Sequence, residues 1–275
     1  MSLFEAIIIA IVEGITEYLP VSSTGHMIIA SSLMGIEDDN YTKLFEVAIQ
    51  LGAILAVVVL YWKKFVDFRK WQFYAKLLVA VIPAIVLGKL FSDKIDTLLE
   101  SPTTVAISLL LGGIILLFID RFFLNPTIDT EEKIGFRQAF MIGLWQCVAM
   151  IPGVSRSASS IIGGMQQQLT RKLAAEFSFF LAVPTMCAAS GYSLVLKDYE
   201  TNGVVQKGYE LIMASSDNLY AFIVGNIVAF VVAMLAIRFF IGFLQKHGFR
   251  LFGWYRIIAG IILLVLISQG IIGKS

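Results

Sequence analysis

Six apolar stretches govern what this chain can fold into: Leu44–Trp62, Tyr74–Phe91, Thr103–Asp120, Leu173–Leu196, Leu219–Phe243 and Tyr255–Ile272. A hydrocarbon core about 30 Å thick takes roughly 20 apolar residues of helix, so each stretch is long and clean enough to cross it. The expectation is an all-α polytopic membrane protein. Composition agrees, with 58% of 275 residues hydrophobic, 15% charged and a mean hydropathy of +0.83; a soluble domain carries roughly 25% charged residues. Little chain is left for a soluble domain, so function belongs in or at the bilayer. The net charge of +1 comes without the basic stripe that nucleic-acid binding requires, so no nucleic-acid partner is expected. Cys147 and Cys187 lie alone in apolar segments and read as small core residues. The N-terminal apolar stretch is interrupted by Glu5, Glu13 and Glu17 and lacks the basic start and cleavage site of a signal peptide.

Two further apolar regions, 1–36 and 135–167, are broken at Pro20 and at Pro152-Gly153, and small hydroxyl residues follow each break. Each reads as a re-entrant helical hairpin. Pro20-Val21-Ser22-Ser23-Thr24-Gly25-His26 aligns with Pro152-Gly153-Val154-Ser155-Arg156-Ser157-Ala158-Ser159 if Gly153 is an insertion, and three spans follow in both cases. The chain therefore divides into a first repeat, 1–125, and a second, 126–275. Three spans are an odd number, so the second copy is inverted relative to the first.

Orientation follows from Lys and Arg. One face receives Lys63, Lys64, Arg69, Lys70, Lys76, Arg121, Lys133, Arg137, Arg156, Arg171, Lys172, Arg238, Lys246, Arg250 and Arg256; the other receives Lys43, Lys89, Lys94, Lys197, Lys207 and Lys274. Fifteen against six places the first face in the cytoplasm. The termini and the first hairpin then belong to the outer side.

Irregular backbone at membrane depth is tolerated only where it is buried in protein or lines a cavity, so the two breaks are where a site is sought. Each opens a helix whose unpaired N–H groups favour an anion. Ser22, Ser23, Thr24, Ser155, Ser157, Ser159 and Ser160 add hydroxyls. Arg156 is a lone cation in an uncharged stretch from Gln138 to Thr170, and its planar fork matches two phosphate oxygens. Glu13 and Glu17 share one helical face, and their repulsion calls for a divalent cation, a protonated partner or Arg156 to offset it; a pair of carboxylates with a phosphate is a common way to hold Mg²⁺. His26 stands three residues after Ser23 on the same face, positioned to move a proton. Glu46 and Glu176 occupy similar places in the two halves and read as structural; Asn226 reads as an interhelical hydrogen bond. His247, the run Gln166-Gln167-Gln168 and the segment from Lys197 to Asp217 read as solvated connections.

The segment Glu13-Gly14-Ile15-Thr16-Glu17-Tyr18-Leu19-Pro20-Val21-Ser22-Ser23-Thr24-Gly25-His26, with Phe45-Glu46-Val47-Ala48-Ile49-Gln50-Leu51-Gly52 and Pro152-Gly153-Val154-Ser155-Arg156-Ser157, resembles the bacitracin-resistance family of undecaprenyl pyrophosphate phosphatases. The resemblance covers essentially the whole chain. It implies hydrolysis of a C55 isoprenyl pyrophosphate to the monophosphate carrier used in cell-wall synthesis, in the bacterial inner membrane with the site open to the periplasmic side. It also implies Glu13, Glu17, Ser23, His26 and Arg156 as the functional set; from their place at the two breaks, Ser22, Thr24, Gly153, Ser155, Ser157 and Ser160 are expected around the substrate. The family's second motif usually ends in Gly-x-Thr; here Ala158, Ser159 and Ser160 stand in those places, and Ser160 keeps a hydroxyl. The acid-phosphatase-like lipid phosphatases need a second site histidine, which this chain does not supply.

In the phosphatase reading Ser23, His26 or a water attacks, with His26 as base and acid and Glu17 orienting it. The competing reading is an inverted-repeat transporter or flippase for a lipid phosphate or small anion, which uses the same helix ends. Adjacent acids favour chemistry, since an anion-binding site gains nothing from them. A polyprenyl pyrophosphate lipid is the expected partner, and a homodimer stays open.

Overall fold

The computed structural model describes residues 1–67, 69–91, 94, 95, 98, 101–201 and 203–273; Lys274, counted above for orientation, lies outside the described residues. The first hairpin is α1 (Leu3–Thr16) and α2 (Ser23–Met34). Ser2 and Glu5 open α1 as a reciprocal capping box, and Gly35 closes α2 in the left-handed conformation at φ +68°. The first span is α3 (Asn40–Ala48) and α4 (Gln50–Leu60), joined at Ile49, and α5 (Trp62–Val66) follows it. The next two spans are α6 (Trp71–Leu90) and α7 (Pro102–Ile119).

The second hairpin is α8 (Phe136–Cys147) and α9 (Arg156–Gln166). Three spans follow: α10 (Arg171–Gly191) with its continuation to Leu196, α12 (Ser216–His247) and α13 (Arg250–Ser268). These six spans match the expected ones closely. At about 1.5 Å per residue, the 32 residues of α12 outreach the hydrocarbon, so this helix projects beyond it. Between α10 and α12 the expected solvated connection is instead an antiparallel hairpin, β1 (Asp198–Thr201) with β2 (Val204–Lys207), and a short helix α11 (Gly208–Met213). The Asn-Gly pair at 202–203 is the turn signal for it in the sequence.

Apolar side chains outside the core form stripes at helical spacing: Leu78, Ile82 and Ile85 on α6, Ile227, Val231 and Leu235 on α12, and Ile258, Ile262 and Val265 on α13 are all exposed. Water would not tolerate such a belt over several helices, and lipid requires it. Inside, Tyr18 meets Phe179 edge-on at 5.1 Å and Tyr61 meets Phe180 at 5.0 Å. The cysteines are both free; Cys147 is half-buried and Cys187 is exposed, so Cys187 is not the core residue expected.

Contacts among the loops sort the helix ends into two sets. At one end, Lys64 pairs with Glu131 at 2.6 Å, Lys76 reaches the Glu131 and Glu132 carbonyls at 3.3 and 3.4 Å, and Asp120 receives Arg171 and the Phe249 N–H, each at 2.8 Å. At the other, the N-terminal ammonium lies 3.8 Å from Asp39, Asn40 donates to the Glu200 carbonyl at 2.6 Å, and Tyr41 bonds the Asn218 carbonyl. The first hairpin starts and finishes at the second end. The second hairpin starts beside Glu131–Lys133 and finishes where the Thr127 N–H meets the Gln168 carbonyl at 3.0 Å, at the first end.

Packing is also reciprocal: α1 lies along α12 and α8 lies along α6. A Cβ on Gly14 would stand 2.9 Å from the Ala229 oxygen and one on Gly143 would stand 2.1 Å from the Ala80 oxygen, so both contacts need glycine. Asn226 of α12 accepts the Gly52 N–H of α4 at 2.9 Å, the interhelical bond expected of it.

Candidate active site where the two hairpins meet

The first break is held by its own residues. Ser22 takes φ +75°, caps α2 by accepting the Gly25 N–H at 3.4 Å, and is followed by Ser23 at the first helical position. The second break repeats this: Gly153 takes φ +85° and Ser155 caps α9 by accepting the Ala158 N–H at 3.1 Å. A Cβ on Gly153 would stand 2.6 Å from the Val105 oxygen, so glycine is required there for space as well as for φ. The breaks touch each other directly, because Ser155 donates to the Leu19 carbonyl at 3.3 Å and Ser157 to the Tyr18 carbonyl at 2.8 Å.

One ion pair joins them chemically. Arg156 gives two hydrogen bonds to Glu17 Oε1, from Nε at 3.1 Å and from Nη2 at 2.9 Å, and its Nη1 donates to the Ser178 carbonyl at 3.0 Å. The guanidinium lies 5.9 Å over the Tyr18 ring, and the side chains are only 14% and 6% exposed for Arg156 and Glu17. Arg156 therefore does not snorkel to the surface. The other oxygen of Glu17 accepts the Ser23 hydroxyl. Arginine, carboxylate and serine thus form a connected chain across the two hairpins, in a setting where charge-assisted bonds are strong.

His26 is placed differently from the expectation. Its Nδ1 lies 2.7 Å from the Ser22 carbonyl one turn earlier and its Nε2 lies 2.7 Å from the Tyr255 hydroxyl on α13. The Ser23 hydroxyl donates its hydrogen bond to Glu17, and Ser22 with Tyr255, not Glu17, orients the imidazole. The reason is the helix turn: residue 22 ends in a carbonyl directly beneath residue 26, whereas Glu17 reaches Ser23 across the break.

Glu13 is fully buried and both its carboxylate oxygens lack a hydrogen-bond partner among the described residues. Glu17, Arg156, Glu46 and the Ser23 hydroxyl are the groups whose fields bear on it. One oxygen of Glu46 is likewise buried without a partner. A hard cation takes such oxygens, so Glu13 fits the expected metal; Glu17 fits less well because Arg156 and Ser23 already occupy it. No group of three metal-ligating side chains is present among the described residues. Thr24 is half-buried at the head of α2, Ser159 is buried in α9, and Ser160 is tied to the Arg156 and Ser157 carbonyls and to Ser178 at 2.6 Å. The hydroxyls of Ser155, Ser157 and Ser160 are therefore engaged within the protein, and those of Ser155 and Ser157 join the two breaks.

Arg256 is the residue at the junction of the two breaks that reading the sequence missed. It is 1% exposed, and it donates to the Pro20 carbonyl at 3.3 Å, Gly153 at 2.9 Å, Ser108 at 3.0 Å and Leu109 at 3.4 Å. It is a clamp on both breaks, not a cation of the cytoplasmic face. Its signal was present: an arginine inside an apolar span is a site candidate by default.

A family model described as bacitracin resistance protein BacA matches residues 6–262. The chain is 60% identical to the undecaprenyl-diphosphatase of Flavobacterium johnsoniae over 97% of this chain and 96% of that protein. It is 50% identical to the undecaprenyl-diphosphatase of Bdellovibrio bacteriovorus over 98% of both, and 46% identical to that of Wolinella succinogenes over 96% and 98%.

Removing one partner of a buried ion pair strands the other, at about 3–5 kcal/mol. Arg156→Ala is expected to lower the melting temperature in detergent markedly, and Arg156→Ala with Glu17→Gln to regain part of the loss. A double variant no more stable than the single one would show that Glu17 is not the stranded charge.

Proposed function

The chain belongs to the bacitracin resistance protein BacA family, and from that premise we propose that it hydrolyses undecaprenyl pyrophosphate to undecaprenyl phosphate and inorganic phosphate, returning the lipid carrier to cell-wall synthesis and conferring bacitracin resistance. The observation that carries this reading is the chain Arg156–Glu17–Ser23 at the junction of two helix N-termini. The helix ends and Arg156 attract the terminal phosphate. That phosphate competes with Glu17 for the guanidinium, and as it takes Arg156, Glu17 is released to act as base toward Ser23. Ser23 Oγ then attacks the terminal phosphorus, its proton passes to Glu17, and the bridging P–O bond breaks to release the lipid monophosphate. Water completes the hydrolysis. A transporter would use the same helix ends, but it gives a serine hydrogen-bonded to a carboxylate nothing to do.

Glu13 would hold a divalent cation, whose chemistry when bound is to neutralise charge on the pyrophosphate.

The inverted repeat, with re-entrant hairpins in 1–125 and 126–275, is supported by the hairpins returning to opposite ends of the bundle. It is supported too by the exchange of α1 and α8 onto α12 and α6 through Gly14 and Gly143. Setting aside the buried Arg156 and Arg256, and Lys274, the cations still divide thirteen against five, which favours the inner membrane with the first hairpin on the periplasmic side. Cysteine labels at positions 38 and 207 should then react from outside the cell, and labels at 64 and 250 should not. The opposite pattern inverts the topology.

Purified protein should release phosphate from undecaprenyl pyrophosphate. Ser23→Ala should remove the single-turnover chemical step while leaving substrate affinity largely intact. Residual chemistry within about tenfold of wild type, about 1.4 kcal/mol in the barrier, would exclude Ser23 as nucleophile.

A further inference from the structure

His26 has one ring nitrogen committed. Nδ1 lies 2.7 Å from the Ser22 carbonyl, which can only accept, so Nδ1 carries a hydrogen. Nε2 is then the nitrogen through which a proton enters or leaves the ring, and the Tyr255 hydroxyl sits on it at 2.7 Å. The rings stack with centroids 5.5 Å apart and planes 10° from parallel, so Tyr255 lies along His26 and does not merely brush it. Tyr255 is 47% exposed while His26 is half-buried. The neighbouring Arg256, the charged group whose field reaches the imidazole, is held by one carbonyl from each break and two from α7, which ties the backbone under Tyr255 to the site.

We propose that Tyr255 is the positioning residue of His26 and the hydroxyl through which His26 exchanges protons during turnover. The proposal rests on the phosphatase reading above. A phenol matches both states of the ring: it donates to Nε2 of the neutral imidazole and accepts from the Nε2–H of the imidazolium. When water attacks the phosphorylated Ser23, the water proton passes to the Tyr255 oxygen as the tyrosine's own proton passes to Nε2. The new O–P bond forms, the Ser23 Oγ–P bond breaks, Oγ takes back from Glu17 the proton it gave in the first half-reaction, and the water's proton leaves Nε2 through the same hydroxyl to solvent. Tyrosine stays neutral throughout, and His26 carries the proton between the two half-steps. Without the hydroxyl, Nε2 has neither its anchor nor its route.

Tyr255→Phe removes one oxygen and leaves the stacked ring, so the full-length variant in detergent should keep the wild-type melting temperature. On undecaprenyl pyrophosphate its kcat should fall at least about tenfold with KM within about twofold. His26 and His247 are the two histidines of the chain, so ¹⁵N-histidine spectra read the ring directly. The Nε2 resonance of His26 should move in the variant and that of His247 should not. A kcat within about twofold of wild type, a loss confined to KM, or an unmoved His26 Nε2 resonance would each overturn the proposal. Wild-type phosphate release, measured alongside, tests the phosphatase reading separately.

Discussion

The guanidinium of Arg256 bridges the two interrupted hairpins. Each hairpin leaves free carbonyls where its helix breaks, and lipid offers nothing to satisfy them. Arg256 reaches one from each break, Pro20 and Gly153, together with two from the neighbouring span α7. An arginine buried at that depth is costly alone, and broken backbone at that depth is costly alone. Each offsets the other, and the arrangement works because the fork of donors spans several carbonyls at once.

With the breaks fixed, the chemistry follows from what they carry. Ser155 and Ser157 lock the second hairpin onto the Leu19 and Tyr18 carbonyls of the first, and Arg156 lands on Glu17. In the proposed site neither half is complete: the serine, histidine and carboxylates come from the first hairpin and the arginine from the second. Arg156 and Glu17 hold each other, which keeps two charges paired inside the protein; in the proposed reaction an arriving phosphate takes Arg156 and releases Glu17 as base. The last span contributes twice, since Tyr255 and Arg256 are consecutive and serve His26 and the breaks respectively.

Much of this was legible in the residues. The spans follow from hydropathy alone, and the hairpins from Pro20 and Pro152-Gly153 interrupting apolar runs too short to cross twice. Arg156 and the two glutamates stood out because charges in apolar sequence demand partners. Tyr255 did not, because its partner is a ring nitrogen more than two hundred positions away; Arg256 carried the same signal of a charge in an apolar span, but its partners are carbonyls, which have no residue identity to read. The three-residue spacing of Ser23 and His26 suggested a direct pair; helix capping at Ser22 and the reach of Glu17 across the break decided otherwise. Local spacing fixes which residues share a face, and tertiary contacts choose among them.

Arg256 builds the proposed site by joining the two breaks. Lysine at that position keeps the charge but offers its donors from one point and cannot span the same carbonyls. Measured on undecaprenyl pyrophosphate, folded Arg256→Lys protein is predicted to lose at least about tenfold in kcat/KM, because displacement of either break by about 1 Å misplaces the reacting groups. A kcat/KM within about twofold of wild type would contradict the account, and would mean that the breaks hold their register without the clamp.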